Sequence, residues 1–305
     1  MSPEFATTNV SVIDHGPHLA TSGILFNRIL MATDFSQPAD QALKTAIAIS
    51  QLFGSKLFLV HAATRDAYVP MESLHENLKA AREQANELIS SEPGLRELEP
   101  KVTVAYADAR GLIDQVAGEE KIDLIVVGSH GASGLERLAL GSVAEATLHQ
   151  AKCPVLIVGP NCSADPNPFR SIVFATDLTT TGLRGAQYAA GLAERFHADL
   201  TFLHVMSHKA AARIIVEIEV IQDRITQQLR ELFPPDVERY CKAKVRLEEG
   251  KAAETIVAVA ESERASLIVV GLRDHVLSDH APWSTLSHVI REVKCPVLGV
   301  RGHLT

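Results

Sequence analysis

The sequence predicts two tandem α/β domains, each a doubly wound, mostly parallel sheet of five strands with helices on both faces. Three observations predict this fold. The chain of 305 residues is long enough for two domains, and its motifs recur once at a near-constant offset. Within each copy, short apolar runs alternate with longer amphipathic stretches. The apolar runs are nearly continuous, which is typical of strands buried on both faces of a sheet.

The internal repeat is the most informative feature of the chain. Ile29–Asp34 returns as Ile172–Asp177 and Leu124–Gly128 returns as Leu267–Gly271, an offset of 143 residues. A period this long indicates a duplicated domain, because the repeats of solenoid proteins span about 20–50 residues. Between the copies lies a stretch with three prolines, which breaks regular structure. We therefore predict a flexible leader, a first domain, a linker and a second domain over residues 1–23, 24–159, 160–168 and 169–305.

The elements of the first copy follow in order from the spacing of its apolar residues. The first helix carries Ala42, Ala46 and Ile49 on one face, and Gly54 comes just after its end. The predicted strands are Arg28–Thr33, Lys56–Ala62, Lys101–Ala107, Asp123–Val127 and Pro154–Val158. The predicted helices are Pro38–Leu52, Met71–Ser90, Leu112–Ala117 and Val143–Gln150. Alternating strands and helices imply right-handed crossovers, with the strand order 2-1-3-4-5 or 3-2-1-4-5.

The composition excludes several classes of function. Lys and Arg number 29 against 37 Asp and Glu, a net charge of −8, so no overall basic field favours nucleic acid or an anionic membrane. The apolar runs are strand-sized, shorter than the ~20 residues of a membrane-spanning helix. Four cysteines without a C-x-x-C pair support neither a zinc site nor a redox site. With no secretory signal in the sequence, we expect the cytoplasm.

The polar and glycine residues that follow the strands indicate where a ligand binds. In open α/β sheets, ligands bind at the carboxyl ends of strands where the strand order reverses. Asp34 ends the first strand there, Gly128 begins a loop after the fourth, and Gly141-Ser142 opens a helix whose free N–H groups attract anions. A glycine-bearing loop alone is usually only a turn. The combination of this loop, a carboxylate and a helix start predicts a phosphate site without a lysine.

These residues carry a resemblance to a known family. The pattern Gly128-x2-Gly131-x9-Gly141-Ser142 resembles the ATP-binding signature of the universal stress protein family, G-x2-G-x9-G-[ST]. The stretches at 32–36 and 152–158 are also similar to that family, and the likeness covers most of both copies. The resemblance implies an adenine nucleotide α-hydrolase-like fold and an ATP-binding, nucleotide-dependent regulator of the stress response.

The resemblance also implies a set of nucleotide-binding residues. Asp34 is the natural partner for the ribose or adenine, since a carboxylate accepts hydroxyl and amine protons, and its alternative role is to cap the next helix. The Ser142 hydroxyl would cap its helix or bind a phosphate oxygen. Mg²⁺ or Mn²⁺ would accompany the phosphates. The implied set is Ala32, Thr33, Asp34, Ala62, Val127, Gly128, His130, Gly131, Gly141, Ser142 and Val143.

The second copy departs from the signature. Gly271 is kept, but Asp274 stands in place of Gly131, and at the offset of 143 Ser284 replaces Gly141. An aspartate facing a triphosphate adds like-charge repulsion. We therefore expect the second domain to bind ATP weakly or not at all.

The resemblance further implies how the copies assemble. The fifth strands would pair, Pro154–Val158 against Pro296–Val300, as an internal pseudo-dimer that protects two sheet edges. A homodimer of whole chains is a further assembly that the family allows.

Two other classes of function compete with a nucleotide-dependent regulator. The first is a slow ATP hydrolase or phosphotransferase, for which His130 is the one candidate helper. The second is an interaction module without nucleotide, against which the intact first signature counts.

Several weaker signals have simpler interpretations. His61 and His204 recur at equivalent strand ends, which favours a shared structural role over metal ligation. The histidines and aspartates at 274–280 have no common metal-ligand spacing and are expected in a solvated loop. Arg137 fits a phosphate contact and a subunit contact equally well. Cys153 and Cys295 precede matching strands and are expected as small core residues.

Overall fold

The computed structural model describes residues 23–63, 71–130, 140–179, 182–207, 218–232, 237–272 and 281–302. Residues 1–22 of the predicted leader, Gly131, Arg137 and the cluster at 274–280 lie outside these ranges. Within them, no helix combines the length and the apolar composition needed to cross a membrane.

Strands and helices alternate through both halves of the chain. The strands are β1 (Arg28–Ala32), β2 (Lys56–Ala63), β3 (Lys101–Tyr106), β4 (Leu124–Gly128), β5 (Val155–Val158), β6 (Ser171–Ala175), β7 (Asp199–Met206), β8 (Ala243–Glu249), β9 (Leu267–Leu272) and β10 (Val297–Arg301). The helices are α1 (Gln37–Phe53), α2 (Met71–Ser91), α3 (Pro93–Leu98), α4 (Ala109–Glu119), α5 (Ser142–Gln150), α6 (Gly182–Phe196), α7 (Ile218–Glu231), α8 (Ala252–Ser262) and α9 (Ala281–Glu292), with a 3₁₀ turn at Val237–Arg239.

All ten strands form one sheet in the order β3-β2-β1-β4-β5-β10-β9-β6-β7-β8. Each half has the strand order 3-2-1-4-5, one of the two orders predicted, and its neighbouring strands are parallel. The doubly wound α/β prediction is therefore confirmed. The strand order reverses between β1 and β4 in the first half, and between β6 and β9 in the second. These are the two switch points at which ligands bind in open sheets.

Two helices of the first half differ from the prediction. Helix α3 was missed: it is one short turn that starts on Pro93, and Leu95 is its only buried residue. Six residues are too few to show an amphipathic period. Helix α4 starts earlier than predicted, because Asp108 caps it by accepting a hydrogen bond from the backbone N–H of Gly111 at 3.2 Å. Helix α1 ends as predicted, with Gly54 in the left-handed conformation at φ 66°.

The two halves join along their fifth strands. β5 pairs antiparallel with β10, with Leu156 opposite Leu298, so the predicted internal pairing is confirmed. Because the joined strands run in opposite directions, the complete sheet is mixed. Without this pairing, β5 and β10 would each be an exposed edge strand of its half, so the pairing removes two free sheet edges.

The hydrophobic core continues across the junction on both faces of the sheet. On one face, Phe53 of α1 meets Phe169 edge to face, with ring centroids 5.9 Å apart, and Phe196 of α6 at 5.3 Å. A Cβ on Gly191 would come within 2.6 Å of the Ile24 side chain, so α6 lies close against the start of the first half. The two domains therefore share the core on each face of the sheet.

Candidate functional site

The predicted site residues of the first half meet at the ends of adjacent strands. Ala32 at the end of β1 pairs in register with Val127 of β4 on one side and Val60 of β2 on the other. Ala62 lies two residues farther along β2, and Gly128 ends β4. The structure thus brings the strand-end residues of the prediction to the first switch point. Val127 is 2% exposed and its side chain lies in the core, so only its backbone can face a ligand.

A tight turn follows β1, built by the side chains of Thr33 and Asp34. The Thr33 hydroxyl accepts a hydrogen bond from the backbone N–H of Phe35 at 3.0 Å, and the Asp34 carboxylate accepts one from the N–H of Ser36 at 3.0 Å. Phe35 takes the left-handed conformation at φ 58°. The N-cap of α1 is Ser36, so the alternative role of Asp34 as helix cap is wrong. Asp34 instead shapes the turn, and its side chain is exposed.

His61 of β2 fixes this turn from the neighbouring strand. Its Nδ1 donates a hydrogen bond to the carbonyl oxygen of Thr33 at 2.9 Å, and its ring lies 4.4 Å from that of Phe35. The Thr33 amide in turn donates to Val60 at 2.9 Å. His61 therefore holds the backbone that carries Asp34, and we interpret its recurrence in the sequence as this structural role.

The other wall of the site is the segment after β4. Gly141 donates its backbone N–H to the carbonyl of Ser129 at 2.8 Å, which holds the start of α5 against the end of β4. A Cβ on Gly141 would lie 2.9 Å from that carbonyl oxygen and 3.4 Å from the Cα of His130. Glycine is required at 141 because its neighbours here are backbone atoms that cannot turn aside.

Ser129 is a site residue that the sequence analysis missed. It is buried, and its hydroxyl pairs with Nδ1 of His130 at 2.9 Å. Nε2 of His130 is buried and has no hydrogen-bond partner within the described ranges. The signal in the sequence that could have identified Ser129 is its position between Gly128 and His130. A buried ring nitrogen without a partner is costly, so Nε2 of His130 requires a polar group beyond the described residues.

Helix α5 begins at the site with its backbone N–H groups unoccupied by any side-chain cap. Gly141 rather than Ser142 is the N-cap, and among the described residues no side-chain cap hydrogen bond is made there. Ser142 is exposed and Val143 is half-buried at the start of the helix. The first-turn N–H groups and the helix dipole together favour an anion at this end of α5.

The second half repeats the turn of the first. Thr176 and Asp177 accept hydrogen bonds from the N–H groups of Leu178 and Thr179, each at 3.0 Å, and His204 donates from Nδ1 to the Thr176 carbonyl at 2.9 Å. Leu178 has φ 62°, as Phe35 does in the first half. Burial lowers the pKa of His204, although the Thr176 carbonyl and the Asp177 carboxylate both act to raise it. The scaffold of the crevice is therefore present twice.

The second crevice is lined by larger side chains. Val205 and Met206 stand where the first half has Ala62 and Ala63, and Leu272, 6% exposed, stands where it has Ser129. Helix α9 also starts early relative to α5. Its buried residues Leu286, Val289 and Ile290 match Ala144, Thr147 and Leu148 of α5 at an offset of 142, so α9 extends three residues farther toward the crevice.

This register corrects one residue assignment from the sequence. At the offset of 142, Ser284 corresponds to Ser142, and Trp283 rather than Ser284 takes the position of Gly141. The two copies differ by a deletion of one residue, and the polar loop before α9 contains no pattern that locates it. The offset of 143 was therefore applied up to this helix in the sequence. The pattern of burial along α9 locates the deletion.

No group of three or more His, Cys, Asp or Glu side chains is arranged as a metal site in the part of the chain that the structure describes. Among the described residues, Asp34 follows β1 and Glu145 lies in the first turn of α5. The crevice can thus bind a polar ligand by backbone N–H groups at one end and by Asp34 at the other.

Comparisons with known proteins by sequence and by structure identify the same family. The profile of the universal stress protein family matches residues 25–159 and again 168–301. Universal stress protein MJ0531 of Methanocaldococcus jannaschii is 33% identical over 141 residues, which cover 44% of this chain and 82% of that protein. A universal stress protein of Mycolicibacterium smegmatis is 26% identical over 286 residues, 90% of this chain and 96% of that protein. A crystal structure of a universal stress protein from Archaeoglobus fulgidus covers 92% of this chain and all of its own, with a TM-score of 0.66 and 20% identity, and it shows the shared fold.

Proposed function

The chain belongs to the universal stress protein family, as a tandem two-domain member, and from this we propose that its first domain binds ATP and acts as a nucleotide-dependent regulator of the stress response. The observation that carries the proposal is the cradle at Gly141. There the backbone of α5 approaches Ser129 and His130 so closely that no side chain fits. The first-turn N–H groups of the helix lie at this cradle without a side-chain cap. Such a cradle suits the phosphates of a nucleotide.

Each end of the nucleotide has a matching part of the crevice. Thr33 and Asp34 would face the ribose, since the Asp34 carboxylate accepts protons from hydroxyl groups. Ala62 would leave room for the base. The backbone at Val127 and Gly128, together with His130 and Gly131, would line the ribose and phosphates.

The phosphates would lie at the N-terminus of α5. Gly141, Ser142 and Val143 would bind them through N–H groups and the Ser142 hydroxyl. A divalent cation, Mg²⁺ or Mn²⁺, would be held mainly by phosphate oxygens and water, as Mg²⁺ is in many nucleotide sites. The net charge of −8 does not oppose this binding, because fixed backbone dipoles act at contact distance while surface charges are screened.

The second domain is proposed to bind no ATP. Val205 and Met206 are larger than Ala62 and Ala63, which they replace, and α9 begins three residues earlier than α5, toward the position of the phosphate cradle in the first half. Three residues of helix correspond to about 4.5 Å of extra length. A triphosphate would have to displace this turn.

Regulation by ATP requires that the nucleotide bind one arrangement of the protein better than another. The arrangement of α5 against the second domain is the natural candidate, since this helix contacts both the proposed phosphates and the domain junction. We propose that ATP occupancy changes how the chain associates with partners or with a second copy of itself.

Isothermal titration of the full chain with ATP and Mg²⁺ tests the proposal. We expect one ATP bound per chain, and mass spectrometry of the purified protein should detect adenine nucleotide. A stoichiometry of two would contradict the role of the second domain. No binding of ATP, ADP or AMP at millimolar concentration would reject the proposed function and favour an interaction module without nucleotide.

A matched pair of glycine substitutions probes the cradle. Gly141→Ala places a methyl group against two backbone atoms, and we expect it to weaken ATP binding by about 1–3 kcal/mol through lost hydrogen bonds at the phosphates. Gly118→Ala lies in helix α4 with no atom near the new methyl, and it should leave ATP affinity unchanged while stabilising the fold by about 0.5–1 kcal/mol. Equal ATP affinity of the two variants would show that the cradle does not hold the phosphates.

A further inference from the structure

The second domain contacts the C-terminal end of helix α5, whose N-terminal end faces the proposed phosphate site. We propose that Arg301 and Gly299 of β10 position helix α5, so that the ATP affinity of the first domain depends on a side chain of the second. This inference rests on the proposed function, and it gives the second domain a role that requires no ligand of its own.

Arg301 bonds the last turn of α5. Its Nε and Nη2 donate to the carbonyl oxygen of Leu148, at 3.2 Å and 2.7 Å. The last carbonyl groups of a helix have no partner within the helix, and a cation there also interacts favourably with the helix dipole. The guanidinium therefore anchors the C-terminal end of the helix whose N-terminal end is the phosphate cradle.

Gly299 admits the Leu148 side chain to the same junction. A Cβ on Gly299 would lie 2.8 Å from Cδ2 of Leu148 and 2.9 Å from Cδ1 of Leu272. Leu148 is 1% exposed, so its side chain is fixed by packing while its carbonyl is fixed by Arg301. Two independent contacts thus join one residue of α5 to β10.

The symmetry-related junction has a different anchor, since Nδ2 of Asn161 donates to the carbonyl oxygen of Arg291 in the last turn of α9 at 2.8 Å. At the offset of 142, Gly159 corresponds to Arg301 and Ile290 of α9 corresponds to Leu148. A Cβ on Gly159 would overlap the carbonyl oxygen of Ile290, so backbone approaches backbone there and no guanidinium intervenes. The two junctions therefore hold their helices by different groups, an amide on α9 and a charged guanidinium on α5, the helix with the intact nucleotide signature.

A short helix transmits a constraint from one end to the other. Helix α5 has nine residues, about 13 Å of length, and its residues Ala144, Thr147 and Leu148 are packed in the core. Because packed interiors deform little, releasing the Leu148 end should let the helix shift as a unit and move the first-turn N–H groups from the phosphates. The adenosine part of the site, on β1 and β2, would be unaffected.

Titration of the full chain with ATP and, separately, with adenosine tests the inference. Arg301→Gln removes the charge and most of the donors, and Gly299→Ala pushes against Leu148 without changing charge. We expect each to weaken ATP binding about 2- to 30-fold and to leave adenosine binding unchanged. Arg301→Lys keeps the charge and should restore part of the affinity. Arg291→Gln is the matched control, since Arg291 bonds Glu292 within its own helix, and it should bind both ligands as the wild type does.

The outcomes separate the inference from the proposed function. Wild-type chain that binds no ATP rejects both. Wild-type chain that binds ATP, with Arg301→Gln and Gly299→Ala equal to it, rejects the positioning role alone. Equal weakening of ATP and adenosine by these variants also rejects it, because general loss of structure would act on both ligands.

Discussion

Single residues in this protein show which contacts a duplicated fold keeps and which it changes. The turn after the first strand of each half is built by the same types of contact, and His61 and His204 donate to equivalent threonine carbonyls. Conservation of the scaffold between the halves contrasts with the crevice itself, where Ala62 is replaced by Val205 and Ser129 by Leu272. Thr33 and Asp34, which build the turn, are repeated as Thr176 and Asp177, whereas Ala62 and Gly141 of the proposed nucleotide site are not repeated.

The half-buried His204 of the second half predicts a pH dependence of stability. Burial lowers the pKa of His204, so the folded state favours the neutral ring while the unfolded chain protonates near its ordinary pKa of about 6.5. Stability should therefore be full above that pH and fall as the pH decreases below it, with a slope of at most about 1.4 kcal/mol per pH unit from this group. Urea unfolding between pH 5 and pH 8 measures the effect.

His204→Asn supplies the comparison for this prediction. Asparagine can donate to the Thr176 carbonyl but does not titrate, so the variant should lack the component of acid destabilisation that comes from His204. A stability difference between wild type and variant that stays constant across this pH range would contradict the assignment. Asp177 is the charged group that acts on the ring and is present in both proteins.

At the scale of elements, the residue at which a helix begins matters more to the crevice than the length of the helix. Helix α4 begins where Asp108 caps it, and helices α5 and α9 differ at their N-termini although their buried faces match. The start of a helix fixes where its unoccupied N–H groups lie. Helix α9 begins three residues earlier than α5 and extends toward its crevice, whereas the start of α5 forms the proposed phosphate cradle.

The cap of α4 is testable by substitution. Asp108→Ala removes the acceptor for the Gly111 N–H, and we expect a loss of about 0.5–2 kcal/mol in the free energy of unfolding. Asp114→Ala is the matched control: Asp114 lies exposed within the same helix, and alanine there should be neutral or slightly stabilising. Chemical denaturation of both variants gives the comparison, and equal stability would show that the cap contributes nothing.

At the scale of the whole molecule, the two halves form a single sheet with a shared core. The β5–β10 pairing and the aromatic contacts of Phe53 with Phe169 and Phe196 cross the junction. Domains joined by a short linker alone can unfold separately, but a common core couples them. The tandem arrangement therefore supplies within one chain the edge protection that a lone domain would need a partner to provide.

This coupling predicts one cooperative unfolding transition. Calorimetry should give a single peak whose calorimetric and van't Hoff enthalpies agree, at roughly 200 kcal/mol near 60 °C. Phe169→Ala should lower the stability of the whole chain by about 3–5 kcal/mol, since Phe169 is 1% exposed at the junction. Leu25→Ala, at an exposed position just before β1, should have little effect. Two resolved peaks in the wild type would contradict a shared core.

The amino-acid sequence by itself determined the duplication, the alternation of strands and helices, and the position of the strand-end residues such as Asp34 and Gly128. These features depend on local periodicity and on short spacings, which can be recognised in a single sequence. It also located the departure of the second copy from the signature, although it assigned Ser284 to the wrong position.

Only the tertiary structure decided which residues act together across the chain. Ser129 at the wall of the crevice, His61 beneath Thr33, and Arg301 on the carbonyl of Leu148 are contacts between groups whose partnership has no spacing rule. The strand order and the register of α9 were likewise fixed by packing. The physical reason is that periodicity reports which face of an element is buried, whereas the partners of a buried polar group depend on how distant elements meet.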